Sequence, residues 1–122
     1  GHPQGDIVLK GTASIIHQNI RGFDIPSRYG GEEFAIILTE TDIKAAYIIA
    51  ERLRKKIEET YYKLEDHDVN VTISIGLAQF NSQDDKNGKD LIVKADLALY
   101  EAKSQGRNRV VMYKKEDRGK NA

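Results

Sequence analysis

Two glycines followed by two glutamates, in the run Arg28-Tyr29-Gly30-Gly31-Glu32-Glu33-Phe34, form the stretch of this sequence best suited to chemistry. Glycine has no side chain to block a ligand, so the backbone or a phosphate of a substrate can come close there. Carboxylate oxygens suit Mg²⁺, a hard cation that keeps several waters and usually takes one or two protein carboxylates plus substrate phosphates. Successive strand residues point to opposite faces, so only one of Glu32 and Glu33 can aim squarely at a given site unless the turn twists the pair. Residue types alone leave a plainer alternative open, a solvated Gly-Gly turn flanked by charges.

Elements must hold those residues in place. The chain has 122 residues, 39% of them hydrophobic and 31% charged, a globular composition with enough apolar content for one core. No apolar run approaches the ~20 residues that cross a bilayer, and the start lacks a basic segment followed by an apolar one, so neither a span nor a signal peptide is expected. With no cysteine, disulfide scaffolds, thiol catalysis and cysteine-ligated zinc are excluded, and a reducing cytoplasm is the expected location. Nineteen basic and nineteen acidic side chains cancel, which argues against a generic nucleic-acid binder. The cancellation is uneven: residues 103–122 hold seven basic side chains against two acidic ones, and the first 102 carry the compensating acid. The two regions would treat a phosphate ligand differently.

Over residues 6–20, Leu9, Ala13, Ile16 and Ile20 recur at helical spacing, with Asp6 suited to the N-terminal end. Residues 25–29 and 33–38 are short strand-like runs joined by Gly30-Gly31, which predicts a hairpin. Asp42 begins a second helix with an apolar stripe of Ala46, Ile49, Leu53 and Ile57, ending near Leu64, where Tyr61 and Tyr62 would cover the core edge. Residues 69–78 alternate apolar and small or polar, predicting one long strand. A polar loop over 81–90 leads to a third helix marked by Leu91, Ala95, Ala98, Leu99 and Ala102, with Gly106 as its terminator. A last strand covers 109–113, and 114–122 form a charged, frayed tail. The order predicts an α/β (α+β) architecture, helices packed on a partly antiparallel central sheet. His17 and His67 have no partner at ligand spacing and read as surface histidines.

The hairpin run resembles the signature of the GGDEF family of diguanylate cyclases in its GGEEF form. Further blocks fall at the family's spacing: Gly1-His2-x-x-Gly5-Asp6-x-x-Leu9, Ala50-Glu51-Arg52-Leu53-Arg54, Val71-Thr72-Ile73-Ser74-Ile75-Gly76, Ala95-Asp96-x-Ala98-Leu99-Tyr100-x-Ala102-Lys103 and Gly106-Arg107-Asn108. The resemblance runs over residues 1–113 and implies the family's nucleotide-cyclase, palm-like fold. It also implies an activity: two GTP condense into cyclic di-GMP with release of two pyrophosphates, each nucleotide held by one of two facing domains. By this resemblance Glu32 is the metal ligand and the residue given the base role, Glu33 its acidic neighbour, and Mg²⁺ or Mn²⁺ the cofactor. Gly30 and Gly31 would admit the phosphates, His2 and Asp6 would contact the nucleotide, and Lys103 and Arg107 would bind its terminal phosphates. Arg21-x-x-Asp24 matches the family's inhibitory product site, joined by Arg52. Arginine can pair bidentately with phosphate or stack on guanine, and a carboxylate can accept from guanine N–H groups. Taken alone, the same pattern describes a surface ion pair.

One departure from the family lies at the front. Its first strand, with a metal-binding aspartate and a following lysine and asparagine, has no counterpart in these residues, so the expectation is a fragment of a longer protein, preceded by a sensor segment and inactive as a cyclase by itself. Two other classes of function are compatible with the blocks: a non-catalytic cyclic di-GMP receptor that keeps Arg21 and Asp24, and a dimerisation scaffold. Adjacent carboxylates on a glycine turn favour the catalytic reading, since a retired site has no physical need for them.

Overall fold

The computed structural model describes residues 3–20, 27–28, 34–36, 38 and 41–115. Three helices and six short strands follow in the order α1 (Pro3–Asn19), β1 (Ser27–Arg28), β2 (Phe34–Ala35), α2 (Ile43–Glu58), β3 (Tyr61–Lys63), β4 (Asp68–Asn70), β5 (Ile75–Leu77), α3 (Gly88–Ser104) and β6 (Val110–Met112). The class is the mixed one that the sequence predicts, with both antiparallel and parallel pairing. Among the described residues the strands form three two-stranded sheets: β1 with β2 and β3 with β4 antiparallel, β5 with β6 parallel.

The core is built from the helical stripes. Ile16 and Ile20 from the first helical stretch and Leu53 and Ile57 from α2 make one buried cluster, Ile57 with no exposed surface. Half-buried Val71, Ile73 and Ile75 pack against it. Gly76 faces the other way: a Cβ there would overlap the backbone of Ala95 and Leu99. Neighbouring strand residues point to opposite faces, so α2, with α1 packed against it, lies on one face of the β5–β6 pair and α3 covers the other.

Helix ends are set by named groups. Asp42 caps α2, its Oδ1 accepting from the Ala45 N–H at 2.8 Å, as the sequence predicts. At α1 the helix begins at Pro3, earlier than Asp6, and proline lacks the N–H that an opening helical position leaves unpaired. Asn87 caps α3 through its Oδ1, which accepts from Lys89 and Asp90, so this helix also starts earlier than its apolar stripe.

Two expectations are corrected. The second helix stops at Glu58, and Tyr61–Lys63 pairs with Asp68–Asn70 as a hairpin. The Asn70 amide donates to the carbonyls of Glu58 and Thr60 and supplies partners that a helix end lacks. Tyr62 lies over Gly11 of α1 with its hydroxyl 3.4 Å from Thr12 Oγ1, whereas Tyr61 is exposed. The predicted long strand over 69–78 is divided: burial alternates over residues 71–73 but not at Ser74, and residues 71–74 join no ladder among the described residues. A strand needs a partner as well as a pattern, and β5 meets β6 only from Ile75 onward.

Two outcomes follow from this packing. Gly76→Ala forces a side chain into the backbone of α3 and lowers stability by about 1–3 kcal/mol, whereas Gly88→Ala, with nothing within 4 Å of the added carbon, stays within about 0.5 kcal/mol of the parent; urea unfolding of the two variants separates them.

Candidate functional site

The hairpin at the centre of the motif is present. Ser27 pairs with Ala35 and Arg28 with Phe34, so residues 29–33 connect two antiparallel strands. Gly30, Gly31, Glu32 and Glu33 lie outside the described residues, as do His2, Arg21 and Asp24. Asp6 stands exposed in the first turn of α1, and Arg52 stands exposed on α2. Among the described residues no group of three or more His, Asp or Glu side chains could hold a metal ion.

Lys103 and Arg107 are brought to the same turn. Lys103 is in the last turn of α3, and the helix closes through Gly106, whose N–H donates to the Lys103 carbonyl at 3.4 Å, and Arg107, whose N–H donates to the Ala102 carbonyl at 2.9 Å. This is a Schellman closure, with Gly106 at φ 125° in the region that glycine enters freely. The left-handed backbone then continues through Arg107 at φ 67° and Asn108 at φ 49°. Left-handed geometry costs a non-glycine residue roughly 1–2 kcal/mol, less for asparagine. Asn108 is tied on three sides: its N–H donates to Ser74 Oγ at 3.1 Å, its Oδ1 accepts from Arg54 Nη1 at 2.9 Å, and its Nδ2 donates to Glu58 Oε2 at 2.5 Å. Arg109 adds a bond from its Nε to the Arg107 carbonyl at 3.0 Å.

Arg54 holds this group together. Its guanidinium also contacts Glu51 and lies 3.6 Å from Glu58, and the hydrogen bond to Glu51 raises its pKa above the ordinary arginine value. By residue type and spacing alone, Arg54, Glu58 and Asn108 carry no functional role. The spacing of Glu51, Arg54 and Glu58 at i, i+3 and i+7 was a legible sign that they share a helix face; their meeting with Asn108, 54 positions beyond Arg54, was not.

A second charged group anchors the loop ahead of α3. The Asp85 side chain is fully buried, with Lys94 Nζ 2.5 Å from its Oδ1 and the Asn81 N–H donating to its Oδ2 at 2.8 Å. Lys94 also lies over the Tyr113 ring, 5.6 Å from its centroid. The Lys94 ammonium, helped by the Asn81 N–H, holds the Asp85 carboxyl below the usual carboxylate range, and Asp85 in turn raises Lys94.

The sequence matches the family described as diguanylate cyclase, GGDEF domain, over residues 1–109. The chain belongs to the GGDEF family. It is 46% identical over 114 residues to diguanylate cyclase A of Treponema denticola, a match that covers 93% of this chain and 30% of that protein. Its fold superposes on the active GGEEF domain of a diguanylate cyclase from Vibrio cholerae with a TM-score of 0.83 at 30% identity, covering 95% of this chain and 72% of the other. The GGDEF domain of DgcB from Caulobacter crescentus, solved in complex with c-di-GMP, is similar at a TM-score of 0.82 and 32% identity, with 93% and 67% covered. The chain thus spans less than a third of the length of that curated relative. Within the GGDEF frame, the Gly76 contact and the Gly106 closure give physical reasons for two of the glycines in the sequence blocks. No helix among the described residues is long and apolar enough to cross a membrane.

The Asp85–Lys94 pair sets an acid limit. A carboxyl whose folded pKa is lowered adds stability above its unfolded value of about 3.9, and that stability is lost as pH falls through the lower folded value. Lys94, raised, keeps its contribution below about pH 10.4 and loses it above its folded value. Asp85→Asn is expected to melt below the parent at neutral pH, with the gap closing below about pH 4; melting temperatures followed from pH 7 to 2 check this, and a pH-independent gap contradicts it.

Proposed function

We propose that this chain is the GTP-handling part of a diguanylate cyclase that joins two GTP into cyclic di-GMP with release of two pyrophosphates. The observation that carries the reading is the antiparallel pairing of Ser27 and Arg28 with Ala35 and Phe34, which flanks the GGEEF residues on both sides within a domain of the GGDEF family. Two such domains would face each other, each holding one GTP, so that each 3′-hydroxyl attacks the other nucleotide's α-phosphate.

The role of each residue follows from its chemistry. Gly30 and Gly31 admit phosphate close to the backbone, and His2 and Asp6 contact the nucleotide, Asp6 as an acceptor at the exposed start of α1. Lys103 and Arg107 bind the terminal phosphates. Adjacent carboxylates are the donors a hard cation takes, so Glu32 and Glu33 fit Mg²⁺ or Mn²⁺. Such an ion, when bound, offsets the charge that develops on the phosphates during transfer. Glu32 also takes the proton of the attacking hydroxyl. Arg21 and Asp24, with Arg52 from a neighbouring domain, bind cyclic di-GMP and hold two domains in an unproductive arrangement. The domain works in the cytoplasm, where GTP is supplied, downstream of a sensor segment in the longer protein.

One chromatographic assay of nucleotide products, run on a protein that holds this domain with its preceding segment, tests both sites. Glu32→Gln keeps the volume and loses the charge, so cyclic di-GMP formation should fall by at least about 10²-fold while the fold persists. Arg21→Ala should leave initial turnover unchanged and remove inhibition by added product. Parent-like turnover in Glu32→Gln rejects the catalytic assignment, and parent-like inhibition in Arg21→Ala rejects the regulatory one.

A further inference from the structure

The left-handed stretch after α3 is held by side chains to which the proposed chemistry gives no part. Arg107 is the second of three consecutive residues with positive φ, at 67°, between Gly106 and Asn108. Its own side chain is exposed, while Asn108 beside it is gripped from α2 and from the residue ahead of β5. Arg54 and Glu58 reach Asn108 from α2, and Ser74, just ahead of β5, receives its N–H. A left-handed arginine persists only when its surroundings over-determine it, and such conformations collect at functional positions.

We propose that Asn108, clamped by Arg54, Glu58 and Ser74, is a positioning residue for Arg107: it fixes the left-handed turn from which the Arg107 guanidinium meets the terminal phosphate of GTP. The inference rests on the reading of Lys103 and Arg107 as phosphate-binding residues. A guanidinium gains by offering its donors in a fixed fork, and an exposed arginine on a free turn would have to order its backbone each time it bound. The clamp orders that backbone beforehand. It draws on groups already fixed by the fold, because Arg54 is itself held by Glu51 and Glu58 on the same helix.

Calorimetric titration of the 122-residue chain with GTP and, separately, with GMP tests the proposal. Arg107→Ala should weaken GTP about tenfold and leave GMP, which lacks the terminal phosphates, unchanged. Asn108→Gly allows the left-handed backbone but removes the clamp, and it should weaken GTP about three- to tenfold with GMP again unchanged. The double variant should lose little more than Arg107→Ala alone, since the two residues act through one contact. Asn108→Ala, which also resists positive φ, should lose at least as much as the glycine variant; if it fails to fold, the glycine variant decides. Parent-like GTP affinity in Asn108→Gly beside a weakened Arg107→Ala overturns the positioning role, as do additive losses in the double variant. Parent-like GTP affinity in Arg107→Ala rejects the phosphate reading itself, and the inference with it.

Discussion

The contact that the rest of this structure depends on is the seating of α3 directly on β5 at Gly76. With no side chain there, the helix backbone at Ala95 and Leu99 rests against the strand, and a single added carbon would overlap it. On the opposite face of the strand, Ile75 packs against the cluster of Ile16, Ile20, Leu53 and Ile57. The strand is thus gripped by two helical layers. Since β6 runs parallel to β5, α3 is the crossover between them, and the chain must return from the end of a closely seated helix to the adjacent strand. Only residues 105–109 are available for that return. Three successive left-handed residues accomplish it.

That reversal ties the two layers together. Arg54 and Glu58 belong to α2, on one side of the sheet, and they hold Asn108 at the end of the connection from α3, on the other. Hydrogen bonds that involve a charged partner contribute roughly 1.5–3 kcal/mol each, enough to offset the cost of holding Arg107 and Asn108 at positive φ. Asp85 and Lys94 do similar work at the other end of α3. They anchor the entering loop, and Lys94 reaches over to Tyr113 just beyond β6. Both ends of the helix that carries Lys103 are therefore fixed by charged side chains, the entry by Asp85 with the helix's own Lys94 and the exit by Arg54 and Glu58 of α2.

How much of this was legible in the sequence depends on how local the determinant is. Asp42 as a cap, Gly106 as a terminator and the stripe through Leu53 and Ile57 are settled by neighbours within a turn or two, and the structure has them where the spacing puts them. The β3–β4 hairpin was not legible because Tyr61-Tyr62-Lys63 is too short for its period to distinguish a strand from the end of a helix. The division of residues 69–78 was not legible either, because pairing is decided by the partner and not by alternation. Of the candidate site, the motif blocks named Lys103, Arg107 and Arg52, yet Arg54 and Asn108 lay inside the same blocks without a role. Their chemistry appears only when α2 and the α3–β6 turn are brought together.

The end of α3 is electrostatically unusual for a place that would receive phosphate. Anions are favoured at helix N-termini and disfavoured at C-termini, where unpaired carbonyls leave partial negative charge. Here the closure removes much of that charge, because the carbonyls of Ala102 and Lys103 accept from the N–H groups of Arg107 and Gly106. The left-handed turn therefore has two effects with one geometry: it satisfies the helix carbonyls that would repel an anion, and it sets a cation immediately beyond them. Lys103 stabilises the helix end by the same dipole argument whether or not a ligand is bound, so its presence alone says little about phosphate. Arg107 gives the stronger indication. The bond that its N–H gives the Ala102 carbonyl does not itself require its positive φ, and its neighbour Asn108 is held by side chains from outside the turn.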